Sequence, residues 1–218
     1  LLIGLLPDKF AGIVIKEQRV VITGGLSLGR DLVNLVRDLY GKAVKRKRAG
    51  PVTLAVIEIV LLAGHRQNHD GGQKYVKNIF DNADFVVGNL ETLISKSLPL
   101  SKDMQRLQSK PFLNGPEAYL DALEYAGFDA FIMANNHGCD GGELGITETL
   151  DALDEREIPH TGLFRDSSEK RYFILEQNGI KVGILSYATY FNKKEKFLSE
   201  DKRESMINRT TQAKINAD

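Results

Sequence analysis

A chain of 218 residues, 42% hydrophobic and 27% charged, is long enough to bury a real core and of a size for one domain, or one with a small appendage. Its 29 basic and 29 acidic side chains cancel to a formal net charge of zero, which argues against a general nucleic-acid binder. The single cysteine, Cys139, rules out an internal disulfide framework, and no apolar run approaches the roughly 20 residues needed to cross a bilayer.

The chain divides near Gly50-Pro51. Residues 1–50 carry ten Lys or Arg and four Asp or Glu, a net of +6, so the remainder sums to −6. Within this first part Leu1 to Leu6 is a short apolar start and Arg19 to Thr23 is strand-like. Gly24 to Gly29 is a glycine-rich turn, and Asp31 to Tyr40 has Leu32, Leu35, Val36 and Leu39 at a helical period. A nucleotide-binding reading of that order is the weaker one, because the glycine spacing is not GxGxxG, no acidic partner follows on a later strand and no Walker lysine is present. A structural strand-turn-helix is expected. The basic run Lys42 to Arg48 reads as a solvated helix end or linker, where cations suit the helix dipole.

From Pro51 the elements alternate. Val52 to Ala63 suits a buried strand, Tyr75, Val76, Ile79 and Phe80 form an apolar helical face, and Asp84 to Gly88 is a short buried strand opening into Asn89-Leu90-Glu91-Thr92. Thr92 to Phe112 is a long polar connection, placed to act as a substrate lid; Lys96, Lys102, Arg106 and Lys110 in it can attract an anion or be ordinary surface residues. Asn114-Gly115-Pro116-Glu117 has the residue types of a helix start, Leu120, Leu123 and Ala126 supply the buried face, and Gly127 ends the helix. Phe128 to Met133 is the next strand, Glu143 to Arg156 a helix with Ile146, Leu150 and Leu153 inward. His160 reads as structural. Ile180 to Tyr187 is apolar enough for an internal strand, and Lys193 to Asp218 is highly charged with a weak helical pattern. The product is a βαβαβ run with helices covering a sheet.

Chemistry concentrates where Phe128 to Met133 ends. Ala134-Asn135-Asn136-His137-Gly138-Cys139-Asp140 offers two carboxamides, an imidazole and a carboxylate just past a strand, the place where open α/β sheets bind ligands. Asn136 can give a carbonyl oxygen to a metal, and His137 can face a substrate phosphate and move a proton near neutral pH. Asp140, three residues on, can hold one ring nitrogen and fix the tautomer. Read as structure alone, the same run is a turn, since Asn and Gly tolerate left-handed backbone. The Asn89-Leu90-Glu91 cluster at a second strand end favours the chemical reading. Cys139 lies within the cluster, but no Cys-His-Asp spacing for thiol chemistry accompanies it.

The order "ADFVVGNLET", then "KPFLNGPEAYLDALEYAGFDAFIMANNHGCDGGELGITETLDALDEREIPHTG", then "NGIKVGILSYATY" resembles the poly-γ-glutamate capsule biosynthesis (CapA) family, a bacterial branch of the calcineurin-like metallophosphoesterases. The likeness runs from about Pro51 to the end and is dense from Asp84 to Tyr190. It implies a metallophosphoesterase-like layered α/β/β/α sandwich over residues 51–218, with residues 1–50 a basic segment of unknown affiliation. It also implies that Asn89 and Glu91 lie at the metal centre, that Asn136 is a metal ligand, that His137 contacts substrate and that Asp140 orients His137. The family's first motif falls on Gly64 to Asp70, where His69 fits a ligand position and His65 replaces the family's aspartate. A neutral imidazole cannot bridge two cations as a carboxylate does. The family's last ligands, in a His-Trp-Gly strand motif, would follow Asp218, and the chain has no Trp; the domain is expected to be partial at its C-terminus.

The resemblance further implies one or two divalent cations of the Mn, Fe, Zn or Mg class, an anionic small-molecule or polymer substrate, envelope biosynthesis partners and a location at the bacterial cell envelope or outside the cell. His69, Asn89, Glu91 and Asn136, with His65 or Asp70 as additions, are too few for a closed pair of metals. The expected activity is a metal-dependent hydrolase or transferase of the envelope. The alternative is a non-catalytic envelope assembly protein with a degenerate metal site. A nucleotide-binding redox protein using Gly24 to Gly29 is a third class.

Overall fold

A computed structural model describes residues 54–59, 77, 80–81, 83–101 and 112–210. The expected strand-turn-helix of residues 1–50, the cluster holding His65, His69 and Asp70, the apolar positions 75, 76 and 79, and Lys102, Arg106 and Lys110 lie outside the described residues.

The β-branched run after Pro51 forms β1 (Leu54–Ile59), and β2 (Phe85–Leu90) lies parallel to it. Two short strands, β3 (Leu93–Ile94) and β4 (Asn114–Gly115), pair in parallel with each other. Helix α1 (Ala118–Ala126) leads into β5 (Ala130–Ile132), and α2 (Gly142–Asp154) into β6 (His160–Thr161). Strands β7 (Tyr172–Gln177) and β8 (Ile180–Leu185) make an antiparallel hairpin. A 3₁₀ turn over Lys194–Phe197 and helix α3 (Glu200–Met206) follow.

Among the described residues the main sheet runs β1-β2-β5-β6, all parallel, so each neighbour is reached by a crossover. Its two faces are sorted by the period of two along each strand. Phe131 and Met133 point to the layer of α1 and α2, where they pack with Leu120, Leu123, Ile146, Leu150 and Leu153. Ala130 and Ile132, with Val87 of β2, point the other way onto Leu175, Val182 and Ile184 of the hairpin. Among the described residues the result is helix on sheet on sheet, a mixed α/β architecture consistent with the fold that the resemblance implies. Phe80, Phe128 and Phe131 step across one end of the core, ring centroids 5.0 and 5.7 Å apart. Asp129 locks the start of β5 to β2: its carboxylate accepts the Val86 N–H at 2.6 Å and its own N–H donates to the Val86 carbonyl at 2.8 Å.

Two expectations change, and one strand was not foreseen. Asn114-Gly115 is strand rather than helix start, because Asn114 is engaged elsewhere. Its side-chain oxygen accepts the Ser95 N–H, and its amide donates to the carbonyls of Ser95, Leu98 and Pro99. Its backbone N–H donates to Ser101 Oγ, and Ser101 returns a bond to its carbonyl. These bonds also overturn the lid expectation for the described part, residues 92–101, which is stapled down. Thr149 and Glu148 of α2 accept the Ile94 N–H and the Ser95 and Ser97 hydroxyls, while Leu93 presses so close to Gly145 that an added Cβ would meet its Cδ1 at 2.6 Å. Finally, β7 escaped notice because its outward residues are apolar too: Tyr172 and Ile174 are exposed, so the run shows no alternation.

Candidate functional site at the strand ends

The register fixes where the polar clusters meet. Asn89 of β2 is level with Ile132 of β5, so Glu91 and the run from Asn135 to Asp140 leave the sheet at the same edge. Gly162, just past β6, allows the close approach there. Its φ is +110°, and a Cβ on it would lie 2.4 Å from the Ala134 backbone nitrogen.

Asn135 ties the two strand ends together. Its amide donates to Asn89 Oδ1 at 3.0 Å and to the Leu90 carbonyl at 2.9 Å, and its oxygen accepts the His137 N–H at 3.0 Å. The imidazole is buried, with Nδ1 2.8 Å from Asp140 Oδ2, an oxygen that also accepts the Leu113 N–H at 2.7 Å. A carboxylate only accepts, so the network assigns the proton to Nδ1. Nε2 is then the nitrogen that faces Glu91, with Oε1 3.9 Å away. Asp140 is fully buried, and its other oxygen forms a 3.0 Å ion pair with Lys194, a contact without the alignment of a hydrogen bond.

Burial raises the carboxyl of Glu91 above the usual carboxylate range; His137 and a hydrogen bond from the Asn136 side chain pull it back, and Asp140 adds to the rise. Glu91 Oε2 is buried with no hydrogen-bond partner among the described residues. An orphaned carboxylate oxygen is costly in a dry site, and a divalent cation satisfies it. One carboxylate with carboxamides beside it is oxygen-donor chemistry of the kind a cation of the expected class takes. The 3.9 Å between Oε1 and Nε2 is too long for a hydrogen bond. Among the described residues no group of three or more His, Cys, Asp or Glu is placed to hold a metal.

Of the six residues singled out from the sequence, Glu91, Asn136, His137 and Asp140 come together. Asn89 joins them through Asn135, its oxygen already engaged. His69 lies outside the described residues. Three partners were not foreseen: Asn135, Leu113 through its N–H, and Lys194. Asn135 stood in the same run, and its position at the last turn of strand-end backbone was the available signal. Nothing in the charged stretch around Lys194 marks it as buried. Cys139 is sealed in the core, where burial pushes its thiol up to about 12, so it is not a nucleophile. His160 pairs with Phe131, short of the strand end, and its Nδ1–H donates to the Ile158 carbonyl at 2.8 Å. It lines a separate open cleft with Arg165, Lys170 and Tyr172.

The family described as "Bacterial capsule synthesis protein PGA_cap" matches residues 20–218, which takes in part of the segment before Gly50. A protein of Bacillus anthracis named "Capsule biosynthesis protein CapA" is 24% identical over 155 residues, 68% of this chain and 37% of that protein. An uncharacterized protein of Sinorhizobium fredii is 29% identical over 156 residues, 71% and 34% of the two chains. The "PGA biosynthesis protein CapA" of Bacillus subtilis is 25% identical over 122 residues, 55% and 31%. The chain spans about a third of the length of these curated relatives. Among the described residues no helix is long and apolar enough to cross a membrane.

Proposed function

The chain belongs to the bacterial capsule synthesis protein PGA_cap family, and from that membership together with the strand-end site we propose a metal-dependent hydrolase or transferase of the bacterial envelope that acts on a phosphate- or carboxylate-rich substrate. One observation carries the reading: Glu91 Oε2, buried and without a hydrogen-bond partner among the described residues, beside the Nε2 edge of His137. Glu91 and Asn136 are the residues that would hold the cation, with Asn89 and His69 as further ligands. When bound, a divalent ion there polarises the electrophile.

The chain's own residues supply the rest. Asp140, accepting from His137 Nδ1 and from Leu113, fixes the ring so that Nε2 meets the leaving group. As water or an acceptor hydroxyl bonds to the electrophilic centre and gives up its proton to solvent, the bond to the leaving oxygen breaks, its electron pair stays on that oxygen and the proton of His137 Nε2 goes to it. The ring that delivers this proton stands between two carboxylates, with Asp140 2.8 Å from Nδ1 and Glu91 3.9 Å from Nε2. Asn135 holds the backbone of His137 in register with Asn89.

The test uses an activated phosphate ester and added Mn²⁺ or Zn²⁺. His137→Ala is expected to abolish turnover while leaving the fold intact, and Glu91→Ala to lower the bound metal. Unchanged activity and unchanged metal content in both variants would end the proposal. The second reading, a non-catalytic envelope assembly protein, draws on the single carboxylate that faces His137 Nε2 among the described residues and on His65 in place of an aspartate. It predicts no stoichiometric metal even after metal addition.

A further inference from the structure

Lys194 is far in sequence from the strand-end clusters, yet its side chain ends inside the site. It is 8% exposed, its ammonium 3.0 Å from Asp140 Oδ1 and 5.6 Å from the centre of the Phe112 ring. A lysine is rarely buried unless it is paired, because an ammonium loses its hydration on entering the interior. The backbone that brings it there is itself strained. Asn192 and Lys193 sit consecutively in the left-handed region, at φ +53° and +60°, and Lys193 has neither glycine's freedom nor a short polar side chain to ease that conformation. Strain of this kind persists where the surroundings over-determine it. Here the turn closes with the Lys194 N–H donating to the carbonyl of Phe191, a residue wholly inside the core, at 2.8 Å.

We propose that Lys194 is a positioning residue: set by the left-handed turn at Asn192-Lys193, its ammonium holds the Asp140 carboxylate so that Oδ2 faces His137 Nδ1 and Nε2 faces Glu91. With the ammonium gone, Asp140 Oδ1 is a buried carboxylate oxygen with no other ion pair or hydrogen bond among the described residues. The carboxylate is then free to turn, and turning releases the Nδ1–H of His137. The segment after β8 thereby governs the geometry of a site built on β2 and β5. The catalytic meaning of this rests on the reading of His137 above, but the measurement needs neither metal nor substrate, so the two fail separately.

The full chain labelled with ¹⁵N-histidine, its His137 signals identified with His137→Gln, is observed at alkaline pH where the rings are neutral. The wild-type ring shows the Nδ1–H tautomer. Lys194→Met shifts the tautomer ratio toward Nε2–H on the order of tenfold, the effect of one hydrogen bond to a charged group, and Lys194→Arg, which keeps the charge, recovers most of it. A folded Lys194→Met with the wild-type spectrum overturns the proposal, as does an Nε2–H ring in the wild type. Should Lys194→Met fail to fold, the wild type decides: slowly exchanging ammonium protons on Lys194 support the proposal, and an ammonium in fast exchange overturns it.

Discussion

The carboxamide of Asn135 uses its donor side on Asn89 and Leu90 and its acceptor side on the His137 backbone, all within 3.0 Å. Truncating it leaves two acceptors of β2 and one backbone donor without their partner in a mostly dry site. Each such bond contributes about 1 kcal/mol net, and an orphaned buried group costs more. Asn135→Ala is therefore expected to lower unfolding stability by about 2–4 kcal/mol in a denaturant titration, with the largest backbone shifts at Asn89 and His137. A loss under about 1 kcal/mol would mean that the bridge is incidental. The residue scale also marks the limit of sequence reading. His137 and Asp140 stand three apart in one turn, so their contact was legible from spacing alone. The Leu113 N–H and the Lys194 ammonium reach the same carboxylate from distant parts of the chain, and no local pattern encodes such a meeting.

At the scale of elements, the turn of chain after Glu91 is fixed by side chains that sequence reading assigned to a loop and a helix start. Glu148 of α2 is the outer anchor of that turn. Hydrogen bonds from Ser95 and Ser97 hold its carboxyl below the usual range, outweighing the small opposing effect of burial. A carboxyl depressed in the folded chain stabilises it fully above the ordinary value of 4.5, and the contribution is lost as pH falls through the folded value. Glu148→Gln should thus melt below the wild type at pH 7, with the gap closing as the pH is taken below 4.5. A gap that stays constant with pH would show that the charge of Glu148 does not matter. The helices themselves were legible because their apolar positions repeat at 3.6: Leu120, Leu123 and Ala126 of α1 and Ile146, Leu150 and Leu153 of α2 are buried as expected. Strand β7 was not, since its one buried position, Leu175, is set among exposed apolar neighbours.

For the whole molecule, the decisive property is that one parallel sheet is covered on both faces. The helices bury Phe131 and Met133, the hairpin buries Ala130 and Ile132, and the polar clusters gather at the edge where β2 and β5 end. Continuous apolar strands flanked by polar clusters made this edge legible, down to Glu91, Asn136, His137 and Asp140. The pairing of the hairpin with the sheet was not legible, because sheet-on-sheet contact leaves no period of its own in the sequence. We propose that this edge binds a divalent cation between β2 and β5. Adding Mn²⁺ to the ¹⁵N-histidine-labelled chain tests it most directly, because a paramagnetic ion broadens only nearby signals. The His137 ring signals are expected to vanish at stoichiometric Mn²⁺ and return in Glu91→Gln; sharp His137 signals at saturating Mn²⁺ in the folded wild type would rule the cation site out.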